Sequence, residues 1–467
     1  NTQLLGQLCL LNPITIRIQT RDDQSIISLT WSWDNEIIGS EDCLYVDVLS
    51  PNIQPDKPLP VMFWIGSFGF AYNLDYIYDP SFIVNQNVVF VRCSFRIGVA
   101  PGNCGLKDVV LALKWVQRNI HCFGGDPNNI TIFGNSSGGA IVHFLMLSPM
   151  AVGLFHKAII QSASALNSWS LAKNPIQPVM ELAQILGIST TCKFEILEEL
   201  RNLSAVIMKA CAKLEMDLNK KEENDIIWAL FKPCIEVEYE GQSAFLTKSP
   251  ALLIKSGNFT KVPFIIGSNN VEDKHTTKTI GQQLLRVYLG GEEQLCEDTR
   301  AQYLQLVSDF NFLYYVNKTV ALHSQYAPNC PIYYYILNYA GEWSVPKELY
   351  FLNSLGHCAE IPFVFGILSD NSLCKGSRDS INTKNRVLKM WTNFAKYGNP
   401  TPDDDDPLLQ ITWDPVDNNK LNYLSIGYEL TKGRNPFYER MKFWDNLHKE
   451  HRFLRAQVYF NDLGIFV

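Results

Sequence analysis

Ile130-Thr131-Ile132-Phe133-Gly134-Asn135-Ser136-Ser137-Gly138-Gly139-Ala140 is the stretch from which the fold is read. Ile130 to Phe133 is an apolar run of strand length, and Ala140 to Leu147 reads as a helix. Between them lies Gly134-Asn-Ser136-Ser-Gly138, a G-x-S-x-G pattern. A tight strand-to-helix turn crowds its neighbours, so glycines two before and two after the serine let the chain turn and present the hydroxyl. The bland alternative is a Gly/Ser-rich turn with no chemistry; the strand before it and the helix after it favour a nucleophile elbow.

Outward from this turn, strand-length apolar runs alternate with helical patterns. Upstream these are Cys43 to Leu49, Pro60 to Ile65, Asn87 to Cys93 and then the helix Lys107 to Ile120, whose apolar residues recur every three or four positions. Downstream come the strand Ala158 to Gln161, a charge-rich helical region from about 178 to 255, the strand patterns Pro263-Phe-Ile-Ile-Gly and Ile332-Tyr-Tyr-Tyr-Ile, and helices over Asn385 to Tyr397 and Pro436 to Leu447. Such alternation predicts an α/β fold with a mostly parallel central sheet flanked by helices. The 178–255 region reads as an insertion over the active-site end of a single domain spanning 1–467. The acidic run Asp403 to Asp406 reads as a solvated loop.

The 467 residues, 46% hydrophobic and 19% charged, suffice for a large core and exclude a disordered or fibrous chain. A net charge of −7 argues against a nucleic-acid partner. No apolar run reaches the roughly 18 residues that span a bilayer. Twelve cysteines without CxxC zinc or redox spacing point to disulfides in an oxidising compartment, hence to a secreted or ER-luminal protein. Sequons at Asn202, Asn258 and Asn317 agree, whereas those at Asn129 and Asn135 fall in or beside a buried strand. The first residue is Asn1, so a leader or a longer N-terminus is expected to have been removed.

A serine nucleophile needs a histidine to take its proton and a carboxylate to orient that histidine. In α/β-hydrolases the chain order is Ser, acid, His. His275, His323, His357, His448 and His451 lie far enough downstream, and His357 sits in a loop leading into an apolar stretch. For the acid, Glu272 follows a strand end, where open α/β sheets place their sites, and Asp273 is its rival.

Several motifs in order then resemble the type-B carboxylesterase and cholinesterase family: Ser40-Glu-Asp-Cys-Leu-Tyr-Val, Gly102-Asn-Cys-Gly-Leu-Lys-Asp, Ala112-Leu-Lys-Trp-Val-Gln-Arg-Asn-Ile, Phe123-Gly-Gly-Asp-Pro, the elbow, Glu360-Ile-Pro-Phe-Val-Phe-Gly and Trp391-Thr-Asn-Phe-Ala-Lys-Tyr-Gly-Asn-Pro. Arg440-Met-Lys-Phe-Trp-Asp and the Tyr78-Asp-Pro segment look most like insect carboxylesterases. The resemblance implies an α/β-hydrolase fold and a serine hydrolase of carboxylic esters, with Ser136 as nucleophile, Glu272 as acid and His357 as base. It implies a small-molecule ester substrate and no metal or cofactor. It maps the family's first disulfide onto Cys43 and an upstream cysteine, for which Cys9 is available, while its second has no evident match among Cys192, Cys211 and Cys234.

The chain departs from the family at the oxyanion loop. The family reads Trp-Ile-His-Gly-Gly-Gly-Phe there, and this chain reads Trp64-Ile-Gly-Ser-Phe68-Gly69-Phe70. The N–H groups of Phe68, Gly69 and Ser137 would hold the oxyanion. A Cβ and a benzyl group at Phe68 restrict the backbone and occupy acyl space, which predicts reduced activity. Asp273 replaces a glycine, Asn135 a glutamate, and Gly98-Val-Ala-Pro-Gly-Asn is short. The family's usual N-terminal strands would precede Asn1. Loss of a glutamate at position 135 disfavours a cationic choline substrate, and Trp33 reads as a packed aromatic rather than a cation-stacking one. Two rivals stand beside the esterase: a catalytically weak protein of this fold that binds or sequesters a ligand or partner, and a lipase, for which no amphipathic lid is evident.

Overall fold

The computed structural model describes residues 42–71, 73, 75, 78–97, 102–202, 231–271, 288, 299–339, 341, 356–367, 376–417 and 420–450, with strands also at 14–19, 28–31 and 37–40. Ten strands form one sheet: β1 (Ile14–Gln19), β2 (Tyr45–Ser50), β3 (Leu59–Trp64), β4 (Val89–Cys93), β5 (Gly125–Asn135), β6 (Lys157–Gln161), β7 (Phe264–Asn269), β8 (Ile332–Leu337), β9 (Asn422–Ile426) and β10 (Leu430–Arg434). Their order is β1-β2-β4-β3-β5-β6-β7-β8-β9-β10. From β4 to β9 every pairing is parallel, while β1–β2, β2–β4 and β9–β10 are antiparallel. The expected mostly parallel sheet flanked by helices is present. The run at 43–49 is a strand as expected, but it lies antiparallel to its neighbour, a direction that apolar spacing does not encode.

Side chains alternate between two cores. Val61, Phe63, Val89, Val91, Ile130, Ile132, Ile160 and Ile266 face one side and pack with helices α1 (Cys104–Asn119) and α2 (Ser137–Leu147). Met62, Trp64, Phe90, Phe133, Ile159 and Ile265 face the other and pack with α4 (Arg378–Tyr397), through Val387, Leu388, Trp391 and Phe394. Both faces are covered, so the strands read as continuous apolar runs instead of alternating with polar residues. On α1, Leu106, Val109, Val110, Leu113 and Val116 form the buried stripe; each such side chain contributes on the order of 2 kcal/mol of gross burial. Two further helices, α3 (Tyr314–Tyr326) and α5 (Tyr438–Glu450), pack through Tyr314, Met441 and Trp444.

Two expectations change. Helices cover Gln177–Ile185, Lys193–Arg201 and Pro250–Ser256, but residues 232–249 run without one. Pro233 opens that segment, and Glu236 within it is drawn to the start of α1, accepting from Asn103 Nδ2 at 2.8 Å and from Lys107 Nζ at 2.6 Å. In the acidic run, Asp406 is buried rather than solvated. It pairs with Lys389 and accepts from the N–H groups of Leu408 at 2.9 Å and Leu409 at 3.2 Å. Among the described residues no helix is long and apolar enough to cross a membrane.

Candidate active site

Ser136 stands between β5 and α2 with φ 57° and ψ −130°, a backbone conformation costly for any residue with a Cβ. The surrounding chain enforces it. A Cβ on Gly134 would lie 2.6 Å from Gly138 C, and one on Gly138 would lie 2.2 Å from Ile65 O. Helix α2 therefore starts in contact with the end of β3, and only glycines admit that approach. The Ser136 N–H donates to Gln161 O at 2.9 Å, pinning the turn to β6.

Of the five downstream histidines, His357 meets the serine: its Nε2 lies 2.6 Å from Ser136 Oγ, and both residues are buried. The others described do not. His323 pairs with His143 at 2.9 Å, and His448 stacks on Tyr314 with ring centroids 4.8 Å apart. His275, His451, Glu272 and Asp273 lie outside the described residues. The strand leading toward Glu272 does reach the histidine loop, because Asn269 Nδ2, at the end of β7, donates to Gly356 O at 2.9 Å.

Glu360, three residues after His357, is a buried carboxylate that sequence reasoning passed over as part of a motif. Ser162 Oγ donates to Oε1, where Tyr335 OH also donates, at 3.1 Å, while Asn135 Nδ2 at 3.2 Å and Asn269 Nδ2 at 3.0 Å donate to Oε2. A buried carboxylate needs such donors. Its signal was a lone acid inside the apolar run Cys358-Ala-Glu360-Ile-Pro-Phe-Val. The network also gives Asn135 a partner, its amide donating to the Glu360 carboxylate.

In the loop expected to hold the oxyanion, Phe68 is half-buried and Gly69 is buried, as is Ser137 at the start of α2. Gly69 and Phe70 take φ of 61° and 62°. Ser137 Oγ donates to Ser67 Oγ at 3.0 Å, joining the loop to the start of α2. A chain of rings runs from the loop to the histidine: Phe70 to Trp169 at 6.2 Å, Trp169 to Phe312 at 5.7 Å, and Phe312 to His357 at 4.3 Å between centroids. Phe312 lies on a π-helical turn, Asp309–Leu313. The wider turn frees the Asn311 carbonyl, which accepts from Asn167 Nδ2 at 2.6 Å and Trp169 Nε1 at 2.9 Å. Nothing in the sequence pattern announced this turn.

Cys43 is buried, and its expected partner Cys9 lies outside the described residues, as do Trp33, Cys211 and the 98–101 connection. Asn202 and Asn258 are exposed, whereas Asn317 is half-buried on α3 and Thr319 of its sequon is fully buried.

The fold agrees with the comparisons. The carboxylesterase family model matches residues 5–283 and 271–444. Juvenile hormone esterase of Tribolium castaneum is 29% identical, over 91% of this chain and 84% of that protein. Esterase FE4 of Myzus persicae is 29% identical over 82% of this chain and 75% of its own length. Human cocaine esterase is 29% identical over 87% of this chain and 75% of its own. With a family model covering nearly the whole chain, the chain belongs to the carboxylesterase family and has its α/β-hydrolase fold.

Proposed function

We propose that the protein hydrolyses carboxylic esters through an acyl-enzyme on Ser136. The observation that carries this reading is the 2.6 Å contact between His357 Nε2 and Ser136 Oγ at a strained elbow. His357 takes the hydroxyl proton as Oγ attacks the ester carbonyl, and returns it to the departing alcohol. Glu272 orients the imidazole and stabilises its charged form, a role supported by the tie between Asn269 and Gly356. The N–H groups of Phe68, Gly69 and Ser137 hold the tetrahedral oxyanion. Water then cleaves the acyl-enzyme by the same route, with no metal or cofactor needed. The rings of Phe70, Trp169 and Phe312 favour small apolar, uncharged esters.

Glu360 is a positioning residue here, acting through Asn135 and Asn269 on the elbow and on the histidine loop. The cysteine count and the exposed Asn202 and Asn258 support a secreted or luminal protein, built as a single unit over 1–467.

A short-chain p-nitrophenyl ester tests the reading with the wild type, Ser136→Ala, His357→Gln and Glu272→Gln. We expect the first two variants to lose on the order of 10⁴ or more in kcat and Glu272→Gln somewhat less. A Ser136→Ala variant as active as the wild type contradicts it. Phe68 favours one second reading, a weakly catalytic protein that sequesters its ligand. That protein would bind an apolar ester stoichiometrically and turn it over no faster than buffer.

A further inference from the structure

Position 66 opens the oxyanion loop, and the family's run has histidine where this chain has Gly66. The space is not empty. A Cβ on Gly66 would lie 1.6 Å from Asp75 Oδ1, 2.3 Å from its Cγ and 2.5 Å from Oδ2, so the Asp75 carboxyl lies flat against the Gly66 α-carbon. We propose that Asp75 is a positioning residue of the oxyanion loop, its carboxyl filling the volume of a side chain at position 66 and so setting where Phe68 and Gly69 stand. This rests on the esterase reading above.

The buttress is anchored on three strands. Trp64 Nε1, at the end of β3, donates to Asp75 Oδ1 at 2.8 Å. The Asp75 N–H donates to Asn73 Oδ1 at 2.8 Å, closing its own turn. Arg92 of β4 donates from Nη1 to the Asp75 carbonyl at 2.5 Å, and its Nε donates to Asp47 of β2 at 3.1 Å. Beyond Gly66 the loop is caught once more, where Ser67 Oγ accepts from Ser137. Directly after these two points come Phe68 and Gly69, whose N–H groups must face the oxyanion.

The buttress carries a charge that depends on pH. Burial raises the Asp75 carboxyl from the ordinary carboxylate range to about 6, against the lowering effects of Trp64, Arg92 and Asn73, and Asp47 adds a small further rise. Among the described residues, the titratable and charged groups facing it are Arg92 and Cys93 from β4 and Asp47 from β2. The Cys93 thiol is itself pushed up by burial and stays neutral. Above pH 6 Asp75 is ionised, which puts negative charge behind a loop that must stabilise a negative oxygen; below it the carboxyl is neutral and the opposition disappears.

The test compares wild type, Asp75→Asn and Asp75→Gly on p-nitrophenyl acetate from pH 5 to 8.5. Asparagine keeps the shape and the acceptor for Trp64 but cannot ionise. Both proteins retain His357, so its titration cancels when their kcat values are divided. We expect the Asn-to-wild-type ratio to be near unity at pH 5 and to rise roughly three- to tenfold above pH 7, with a midpoint at about 6. Asp75→Gly should lose on the order of 10² in kcat at every pH, with KM little changed. A flat ratio, or an Asp75→Gly variant with undiminished kcat, overturns the proposal and leaves the esterase intact. If Asp75→Gly fails to fold, the Asn ratio alone decides. If no protein, wild type included, hydrolyses the ester or is labelled at Ser136, the esterase reading fails first and this one with it.

Discussion

The Ser136 elbow and the proposed oxyanion loop lie side by side at the ends of β5 and β3, yet they are held by opposite means. At the elbow, backbone presses on backbone: Gly138 leaves 2.2 Å for a Cβ before Ile65 O. In the loop, side chains do the holding, with the Asp75 carboxyl against Gly66 and a hydroxyl pair joining Ser67 to Ser137. A backbone-packed turn tolerates almost no change in its glycines. A loop held by side chains can exchange one support for another, which is how this chain accommodates Gly66, Ser67 and Phe68 where its family has His-Gly-Gly.

The contrast predicts effects of graded size. Gly138→Ala should be the most damaging, since neither strand nor helix can yield; we expect a loss of about 3 kcal/mol or more in stability and the disappearance of esterase activity, read by thermal unfolding and the p-nitrophenyl assay. An alanine variant with an unchanged Tm would remove the backbone argument. Glu360→Ala comes next. It leaves four donors facing no acceptor and should cost about 3 kcal/mol, together with a fall in kcat, while Glu360→Gln should recover part of both.

Acid tests the packing behind the elbow. His143 of α2 and His323 of α3 share a hydrogen bond of 2.9 Å, and His143 Nδ1 accepts from the Ala165 N–H at 3.0 Å. Both rings are therefore neutral, His143 donating from Nε2. Burial holds both below the ordinary histidine range, His323 at about 3. The unfolded chain takes up protons first, so the stability contributed by the pair is complete above about pH 6.5 and is lost as pH falls from there, by on the order of 1 kcal/mol per pH unit for each ring. Urea unfolding between pH 7 and 5 measures it. His323→Phe should flatten that slope, and an identical slope in the variant would show that the pair is not the source.

Phe68→Gly should have the smallest effect and the opposite sign. Relaxing the loop and opening acyl space should raise turnover of a short-chain ester by up to roughly tenfold. An unchanged or lower rate would show that Phe68 does not limit the reaction.

Legibility in the sequence follows the same division. The elbow was readable because its constraints are local: a strand, a serine, glycines at fixed offsets and a helix. The central strands were readable because both faces of a parallel sheet are apolar. The direction of the strand at 45–50 was not, since pairing partners leave no mark on spacing. Nor were the roles of Glu360, Asp75 and the π-helical turn at 309–313. Glu360 is satisfied by Asn135, Ser162, Asn269 and Tyr335, up to 225 residues away in the chain. Asp75 takes its meaning from an absent side chain at Gly66, and no periodicity reports an absence. Position past a strand end pointed to Glu272 with Asp273 as its rival, and the resemblance to the family decided between them.

The central claim is that Ser136 is a nucleophile activated by His357. Intact-mass analysis after treatment of the folded protein with a fluorophosphonate tests it most directly. One adduct per chain is expected, mapped to Ser136 and absent from both Ser136→Ala and His357→Gln. A folded wild-type protein that stays unmodified, or one that is modified at another residue, contradicts it.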